Sequence, residues 1–153
     1  ATANWPETLG RDGARTPTPW TSESPCAGFS PAEPWLPVDP RHLGLAVSRQ
    51  EHEAASVLNF VREAVQLRRT QPCLRLGDIQ FLPAPAQIIA FTRSLGAERL
   101  LCVFNLADQD EAWSPQDGTH SEVLLETGPA ADADGVVPGL SGHIMRLSDQ
   151  SPD

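Results

Sequence analysis

Proline is concentrated at the start of this 153-residue chain, and its distribution constrains the fold more than any other feature. Eight of the 15 prolines lie within the first 40 residues. Each proline removes a backbone N–H donor and fixes φ, and each biases the residue before it away from helical conformation. The sequence therefore predicts that residues 1–47 form a long loop and that the core comes from the residues after it.

This loop differs in composition from a solvated linker. It contains Trp5, Trp20, Phe29 and Trp35, which include three of the chain's four tryptophans. Disordered tails contain few large aromatic residues, because ordering them requires a surface to bury against. We expect the loop to pack on a surface that the rest of this chain does not offer.

Residues 48–70 have the pattern of one amphipathic helix. Ser48 followed by Glu51 resembles a capping box, and Pro72 prevents continuation. Apolar residues recur at helical spacing, and Phe60 and Leu67 widen the apolar stripe to a second face. We therefore expect this helix to be buried on two sides, by the following domain and by a neighbour outside the chain.

Short runs rich in β-branched and aromatic residues follow the helix, at 79–82, 87–93, 99–106, 122–125 and 143–147. Turn-forming residues separate them, among them Gly96. Five short strands with short connections predict an antiparallel sandwich or barrel. We expect Phe81, Phe91 and Phe104, which lie in these runs, to be core residues.

Charge and cysteine content exclude several classes of function. The formal net charge is −9, so a nucleic acid or an anionic membrane surface is a poor partner. The sequence contains no run of 18 consecutive apolar residues, so it predicts no membrane-spanning helix. The three cysteines are widely spaced and predict free thiols rather than a disulfide framework or a zinc site.

Motifs for phosphate, metal or nucleophilic chemistry are absent from the sequence. We therefore predict no cofactor and no metal site, and we interpret the acidic pairs as solvated charge. The informative string is GRDGARTPTPW at 10–20. A rigid loop of this kind could hold an arginine, which has up to five donors, and the flat face of Trp20 near a sugar. Alternatively, Arg11 and Arg15 could simply pair with Asp12.

GRDGARTPTPW and the following AGFSPAEPWLPV resemble a loop late in the (β/α)8 barrel of α-glucosidases in the α-amylase superfamily, glycoside hydrolase family 13. SVLNFVREAVQLRRTQPCLRLGD is similar to the family's last barrel helix, and LLCVFNLAD to a strand of its C-terminal β-domain. The resemblance implies an α+β fragment. Residues 1–71 would end the catalytic barrel, and 72–153 would form an antiparallel β-sandwich.

The resemblance also implies the function. The catalytic carboxylates of these retaining enzymes lie on barrel strands four, five and seven, which would precede this chain, so the chain would hold no catalytic residue. It would complete an α-glucoside pocket, cap the barrel and be inactive alone. Its partners would be the substrate and the missing N-terminal barrel portion. Arg15 would contact the aglycone side of the substrate, Trp20 would bind the substrate or brace the loop, and Phe29 would shape the pocket mouth or simply pack. Relatives usually have Met at Thr18 and Asp at Thr21, which leaves specificity open.

Two other functions stay open at this point. A stand-alone carbohydrate-binding β-module would need exposed aromatics on the sandwich, and Trp113 is the main candidate. A non-catalytic relative could serve as an ancillary subunit of a transporter. We expect a cytoplasmic location, with the periplasm as the alternative, because three free thiols favour a reducing compartment. The start, ATANWPETLGRDG, has no features of a secretory signal, but it does not decide the location, because the resemblance implies that it lies inside a longer protein.

Overall fold

A computed structural model of the chain describes residues 12–23, 25–115, 121–129 and 135–148. The chain divides into two compact units, Ala1–Arg62 and Glu63–Asp153. The domain division expected from the sequence, 1–71 and 72–153, stays a prediction. Each unit is described by itself below.

The described part of the first unit is a loop with short helical turns, as its prolines predict. Short 3₁₀ segments span Asp12–Ala14, Pro25–Gly28 and Pro40–Leu45, and helix α1 spans Val47–Gln50. The turn at Pro40–Leu45 begins with a proline, which suits the first helical position. Asp39 caps it by accepting the backbone N–H of Arg41 at 2.9 Å.

The expected single helix over 48–70 is wrong, because the structure has two helices in that range. Helix α1 ends at Gln50, and helix α2 spans Val57–Thr70. The polar side chains of Ser56 and Asn59 stabilise the break. Ser56 Oγ donates to the carbonyl of Gln50 at 2.7 Å, and Asn59 Nδ2 donates to the carbonyls of Gln50 at 3.0 Å and Glu53 at 2.9 Å.

The expected capping box is also wrong. Helix α1 begins after Ala46 and has no side-chain cap, so Ser48 does not perform that role. The cap belongs to helix α2 instead, where Ser56 Oγ accepts the backbone N–H of Asn59 at 3.2 Å. Serine at an N-cap commonly satisfies one of the free N–H groups of the first turn.

Helix α2 keeps an apolar face that the described residues leave uncovered. Val57, Val61 and Val65 follow one another at four-residue spacing and are 72%, 49% and 45% exposed. We refer to these three residues as the valine stripe. No residue of helix α2 is fully buried, so the burial expected on two sides is not seen within the described chain.

The second unit contains a five-stranded antiparallel sheet with the order β1-β2-β3-β7-β5, and a two-stranded ribbon of β4 and β6. The strands are β1 Asp78–Phe81, β2 Ile88–Leu95, β3 Glu98–Asn105, β4 Glu111–Ala112, β5 Ser121–Thr127, β6 Val136–Val137 and β7 Gly142–Leu147. A short helix α3, Cys73–Leu76, precedes them. All five predicted strands are confirmed, as is the turn at Gly96, which has φ of 59° between β2 and β3.

One sheet face forms the core of this unit. Its buried residues are Ile88, Ala90, Leu101, Val103 and, from the ribbon, Val137. Trp113 packs against this cluster, and its indole N–H donates to the carbonyl of Pro83 at 3.0 Å. The Asn105 amide is buried and donates to the carbonyls of Gln109 at 2.8 Å and Val137 at 3.0 Å. Trp113 therefore packs on the core.

The opposite sheet face carries three phenylalanines. The Phe91 ring lies 5.7 Å from that of Phe81 and 6.2 Å from that of Phe104, centroid to centroid. Phe81 is 67% exposed, so its assignment to the core is wrong; its strand β1 is at the sheet edge and is exposed throughout. Among the described residues the second sheet has two strands, and the predicted sandwich stays a prediction.

Candidate functional site

Arg15 follows the short turn at Asp12–Ala14. Its backbone N–H donates to the carbonyl of Asp12 at 2.9 Å, which fixes where the side chain leaves the loop. The side chain is exposed, and no residue in the described part of the chain accepts a hydrogen bond from its guanidinium group. Arg11, the other arginine of the string, lies outside the described residues. Arg15 therefore has donors available for a ligand.

Trp20 is held through its backbone on both sides. Its N–H donates to the carbonyl of Ala27 at 2.8 Å, and its carbonyl accepts the N–H of Ser48 at 3.0 Å. The preceding carbonyl, of Pro19, accepts the N–H of Val47 at 3.0 Å. The indole itself is 53% exposed. Trp20 thus exposes its flat apolar indole while hydrogen bonds hold its backbone in place.

The residue that anchors Trp20 lies in a left-handed turn. Cys26, Ala27 and Gly28 have φ of 53°, 51° and 69°, and we call these three residues the left-handed turn. Residues other than glycine avoid this region, because Cβ approaches the following carbonyl oxygen. Each such residue costs about 1–3 kcal/mol and persists only where the surroundings enforce it. Strain of this kind is found most often at functional sites.

The surroundings that enforce the turn are hydrogen bonds and burial at Ala27. Its side chain is only 3% exposed. Its carbonyl accepts two N–H groups, from Trp20 at 2.8 Å and from Thr21 at 3.0 Å. The turn also positions Phe29, whose N–H donates to the carbonyl of Cys26 at 3.0 Å.

The structure therefore brings two of the three predicted site residues to one turn. Trp20 and Phe29 both attach to it through backbone hydrogen bonds, and both side chains are about half exposed. Arg15 has no hydrogen bond to the turn among the described residues. Trp35, which the sequence also singled out, is 78% exposed. The proposed roles of Arg15, Trp20 and Phe29 in binding stay predictions.

The sequence did not predict the left-handed turn, which anchors Trp20 and Phe29 through backbone hydrogen bonds. Pro25 and Gly28 are turn-forming residues, so a turn between them could have been predicted. Its hand could not, because neither Cys26 nor Ala27 is a residue that favours positive φ. The two hydrogen bonds to Ala27 come from residues six and seven positions earlier, and no local pattern indicates them.

Asp39, in the described part of the loop, forms an ion pair with Arg41. Hydrogen bonds from the Arg41 guanidinium and backbone hold the pKa of the Asp39 carboxyl well below the usual range. Arg41 Nε lies 3.0 Å from both oxygens of Asp39, so this carboxylate is engaged. In the described ranges, no group of three or more His, Cys, Asp or Glu side chains could hold a metal ion. The helices of these ranges include none long and apolar enough to cross a membrane.

Known proteins share this loop and the helices that follow it. Residues 1–77 match the catalytic domain of the alpha-amylase family. A probable alpha-glucosidase of Rhizobium meliloti is 43% identical over 105 residues, which cover 69% of this chain and 19% of that protein. The glucan 1,6-alpha-glucosidase of Streptococcus dysgalactiae subsp. equisimilis is 33% identical over 118 residues, covering 76% of this chain and 22% of that protein.

Solved structures extend the likeness to both units. The trehalulose synthase MutB from Pseudomonas mesoacidophila is similar over 91% of this chain and 26% of its own, with a TM-score of 0.78 and 32% sequence identity. The chain spans about a fifth of the length of the curated relatives it matches. These relatives are glycoside hydrolases by name. The chain belongs to the alpha-amylase family, glycoside hydrolase family 13, as an α-glucosidase-like member.

Proposed function

We propose that this chain is the C-terminal part of a retaining α-glucosidase, which hydrolyses α-glucosides or transfers glucose from them. One observation carries the proposal: the 43% identity to a probable alpha-glucosidase over 105 residues. The same region matches the catalytic domain of the family through residue 77. We use the name parent enzyme for the longer protein to which the chain would belong.

In this proposal the loop completes the substrate pocket. Loops at the C-terminal face of a (β/α)8 barrel build its active site. The exposed guanidinium of Arg15 would donate to hydroxyls on the aglycone side of the substrate, since a guanidinium carries five donors. The half-exposed faces of Trp20 and Phe29 would cover the apolar face of a sugar ring.

The exposed valine stripe supports the proposal that another part of the parent enzyme packs against helix α2. Three β-branched side chains at four-residue spacing, each 45% or more exposed, form a surface that an amphipathic helix normally buries. We propose that the N-terminal barrel portion of the parent enzyme covers it. Residues 1–71 would then end the barrel, and 72–153 would cap it as an antiparallel β-sandwich.

The reacting groups would lie on that missing portion. Retaining glycosidases need two carboxyl groups about 5–5.5 Å apart, one as nucleophile and one as acid and base. Within the described loop, the carboxylate of Asp39 is already bound by Arg41. The 153-residue chain alone would thus bind weakly and turn over nothing.

Hydrolysis of a chromogenic α-glucoside by the purified chain tests the proposal. Folding is verified first by circular dichroism, and a chromogenic β-glucoside serves as the matched control substrate. We expect no turnover by the chain and α-specific turnover by the parent enzyme, with the α-anomer as the first product in a proton NMR time course. Turnover by the folded chain itself would place the catalytic carboxylates within these residues and overturn the proposal.

A further inference from the structure

Trp20 combines a hydrogen-bonded backbone with an exposed side chain. Its N–H is bound by Ala27 and its carbonyl by Ser48. Two flanking contacts reinforce this: the carbonyl of Pro19 accepts from Val47, and Ser22 Oγ accepts from Arg49 Nε at 3.2 Å. The indole remains 53% exposed, and these bonds determine the direction in which its Cα–Cβ bond leaves the backbone.

The bond to Ala27 depends on the strained conformation. The direction of the Ala27 carbonyl is determined by the backbone dihedrals of Ala27 and Gly28, and Ala27 and Gly28 both have positive φ. If Cys26 and Ala27 relaxed to the usual negative φ, the carbonyl would turn away. Trp20 and Thr21 would then lose their acceptor together.

Phe29 depends on the same turn. Its N–H donates to the carbonyl of Cys26, and the side chain is 48% exposed. One strained element therefore controls two exposed aromatic residues that lie nine positions apart in the sequence. Strained backbone of this kind clusters at active sites and ligand clamps, and here it positions two side chains that are about half exposed.

We propose that the left-handed turn is a positioning element that presets Trp20 and Phe29 for the sugar ring of an α-glucoside. Cys26 and Ala27 are positioning residues in this sense, since they act through the aromatic side chains and touch no substrate. The inference rests on the proposed function for the identity of the ligand. The positioning itself can be measured without any activity.

The test compares two substitutions at Cys26 that both remove the thiol. Cys26→Asn keeps a residue that tolerates positive φ, whereas Cys26→Val introduces a β-branched residue that does not. The 153-residue chain is labelled with 5-fluorotryptophan, and the Trp20 signal is assigned by its loss in Trp20→Phe. Trp113, which packs on the core of the other unit, is the internal control for folding.

We expect the fluorine resonance of Trp20 to shift or broaden in Cys26→Val and to stay in place in Cys26→Asn, with Trp113 unchanged in both. An unmoved Trp20 resonance in a folded Cys26→Val chain would overturn the proposal. If that variant does not fold, Gly28→Ala provides the milder test, because Gly28 is exposed and also has positive φ.

The same variants in the parent enzyme separate positioning from substrate binding. We expect Cys26→Val to raise KM several-fold with little change in kcat, and Cys26→Asn to restore KM. A displaced Trp20 resonance with an unchanged KM would overturn the contact between Trp20 and the sugar, and with it the functional half of the proposal. Failure of the parent enzyme to act on any α-glucoside would instead reject the proposed function.

Discussion

Gly142 and Phe104 face each other across strands β7 and β3, and the Phe104 ring occupies the space where a side chain at position 142 would begin. A Cβ built on Gly142 would lie 2.6 Å from Phe104 Cδ1. The ring has little room to retreat, because it stacks on Phe91. We expect Gly142→Ala to destabilise the second unit by about 1–3 kcal/mol, the usual cost of overpacking.

Urea unfolding followed by circular dichroism measures this effect. Gly44→Ala is the matched control, because a Cβ at Gly44 would meet nothing within 4 Å. It should change the midpoint little. Equal midpoints for the two variants would show that the sheet absorbs the extra methyl group at Gly142.

Ser56 and Ser48 distinguish the observed helix cap from the one that the sequence suggests. Ser56 Oγ bonds the N–H of Asn59 and the carbonyl of Gln50, whereas helix α1 has no side-chain cap. We expect Ser56→Ala to lower the free energy of unfolding by about 0.5–2 kcal/mol and Ser48→Ala to leave it within about 0.5 kcal/mol. A larger loss in Ser48→Ala than in Ser56→Ala would contradict this assignment.

His143 should make the stability of the chain fall in mild acid. Burial lowers the pKa of His143 from 6.5, and nearby Glu126 opposes the shift; Glu126 Oε2 lies 3.8 Å from its Nδ1, and Ser141 Oγ lies 3.2 Å from its Nε2. Below pH 6.5 the unfolded state binds more protons than the folded state, so acid favours unfolding. The contribution is complete above about pH 6.5–7 and declines as the pH falls toward the folded-state pKa, by at most about 1.4 kcal/mol per pH unit.

Unfolding free energies between pH 5 and 8 test this pH dependence. His143→Gln should flatten the decline between pH 7 and 5, and His52→Gln, at an exposed position, should keep it. Asp39 does not interfere, because its lowered pKa places its own effect below pH 3.8. A profile that His143→Gln leaves unchanged would assign the decline to another group.

The three cysteines should differ in reactivity. All three are free, but Cys73 and Cys102 are 0% and 2% exposed. Burial raises the pKa of Cys102 to about 11, and burial together with Glu98 raises the pKa of Cys73. Because the thiolate is the reactive form, we expect iodoacetamide at pH 8 to label Cys26 alone in the folded chain.

Peptide mass spectrometry measures the extent of iodoacetamide labelling at each cysteine. In denaturant all three cysteines should be labelled at similar rates, which controls for the reagent. Labelling of Cys102 in the folded chain at the rate of Cys26 would mean that the sheet opens far more often than its packing indicates.

Arg15→Ala in the parent enzyme should weaken substrate binding. Loss of one hydrogen bond from a charged donor costs about 1.5 kcal/mol, which is a rise of about tenfold in KM. Arg41→Ala is the charge-matched control, because Arg41 pairs with Asp39 two residues away. Unchanged KM values on several α-glucosides would remove Arg15 from the site.

The strands were predictable because each run carries its own signal. Ile88–Leu95 and Glu98–Asn105 are rich in β-branched and aromatic residues, and Gly96 lies in the tight connection between them. The break after Gln50 was not predictable from the apolar spacing, which continues through it. It depends on Ser56 and Asn59 reaching back to carbonyls six to nine residues earlier.

The candidate site divides in the same way. The string that contains Arg15 and Trp20 identified the family by resemblance, and the family is confirmed. The anchoring of Trp20 could not be found from the sequence, because it uses a carbonyl on Ala27 whose direction depends on the positive φ of Ala27, which alanine rarely adopts. Local propensity predicts the opposite conformation for Cys26 and Ala27, and longer-range hydrogen bonds prevail.

The valine stripe has a practical consequence for anyone who handles the chain by itself. Apolar attraction between the three exposed valines favours association of copies of the chain. Electrostatic repulsion from a net charge of −9 opposes it. Salt shortens the reach of that repulsion to about 8 Å at physiological ionic strength and leaves the apolar attraction intact. The chain should therefore stay monodisperse in dilute buffer, and added salt should cause it to associate through helix α2.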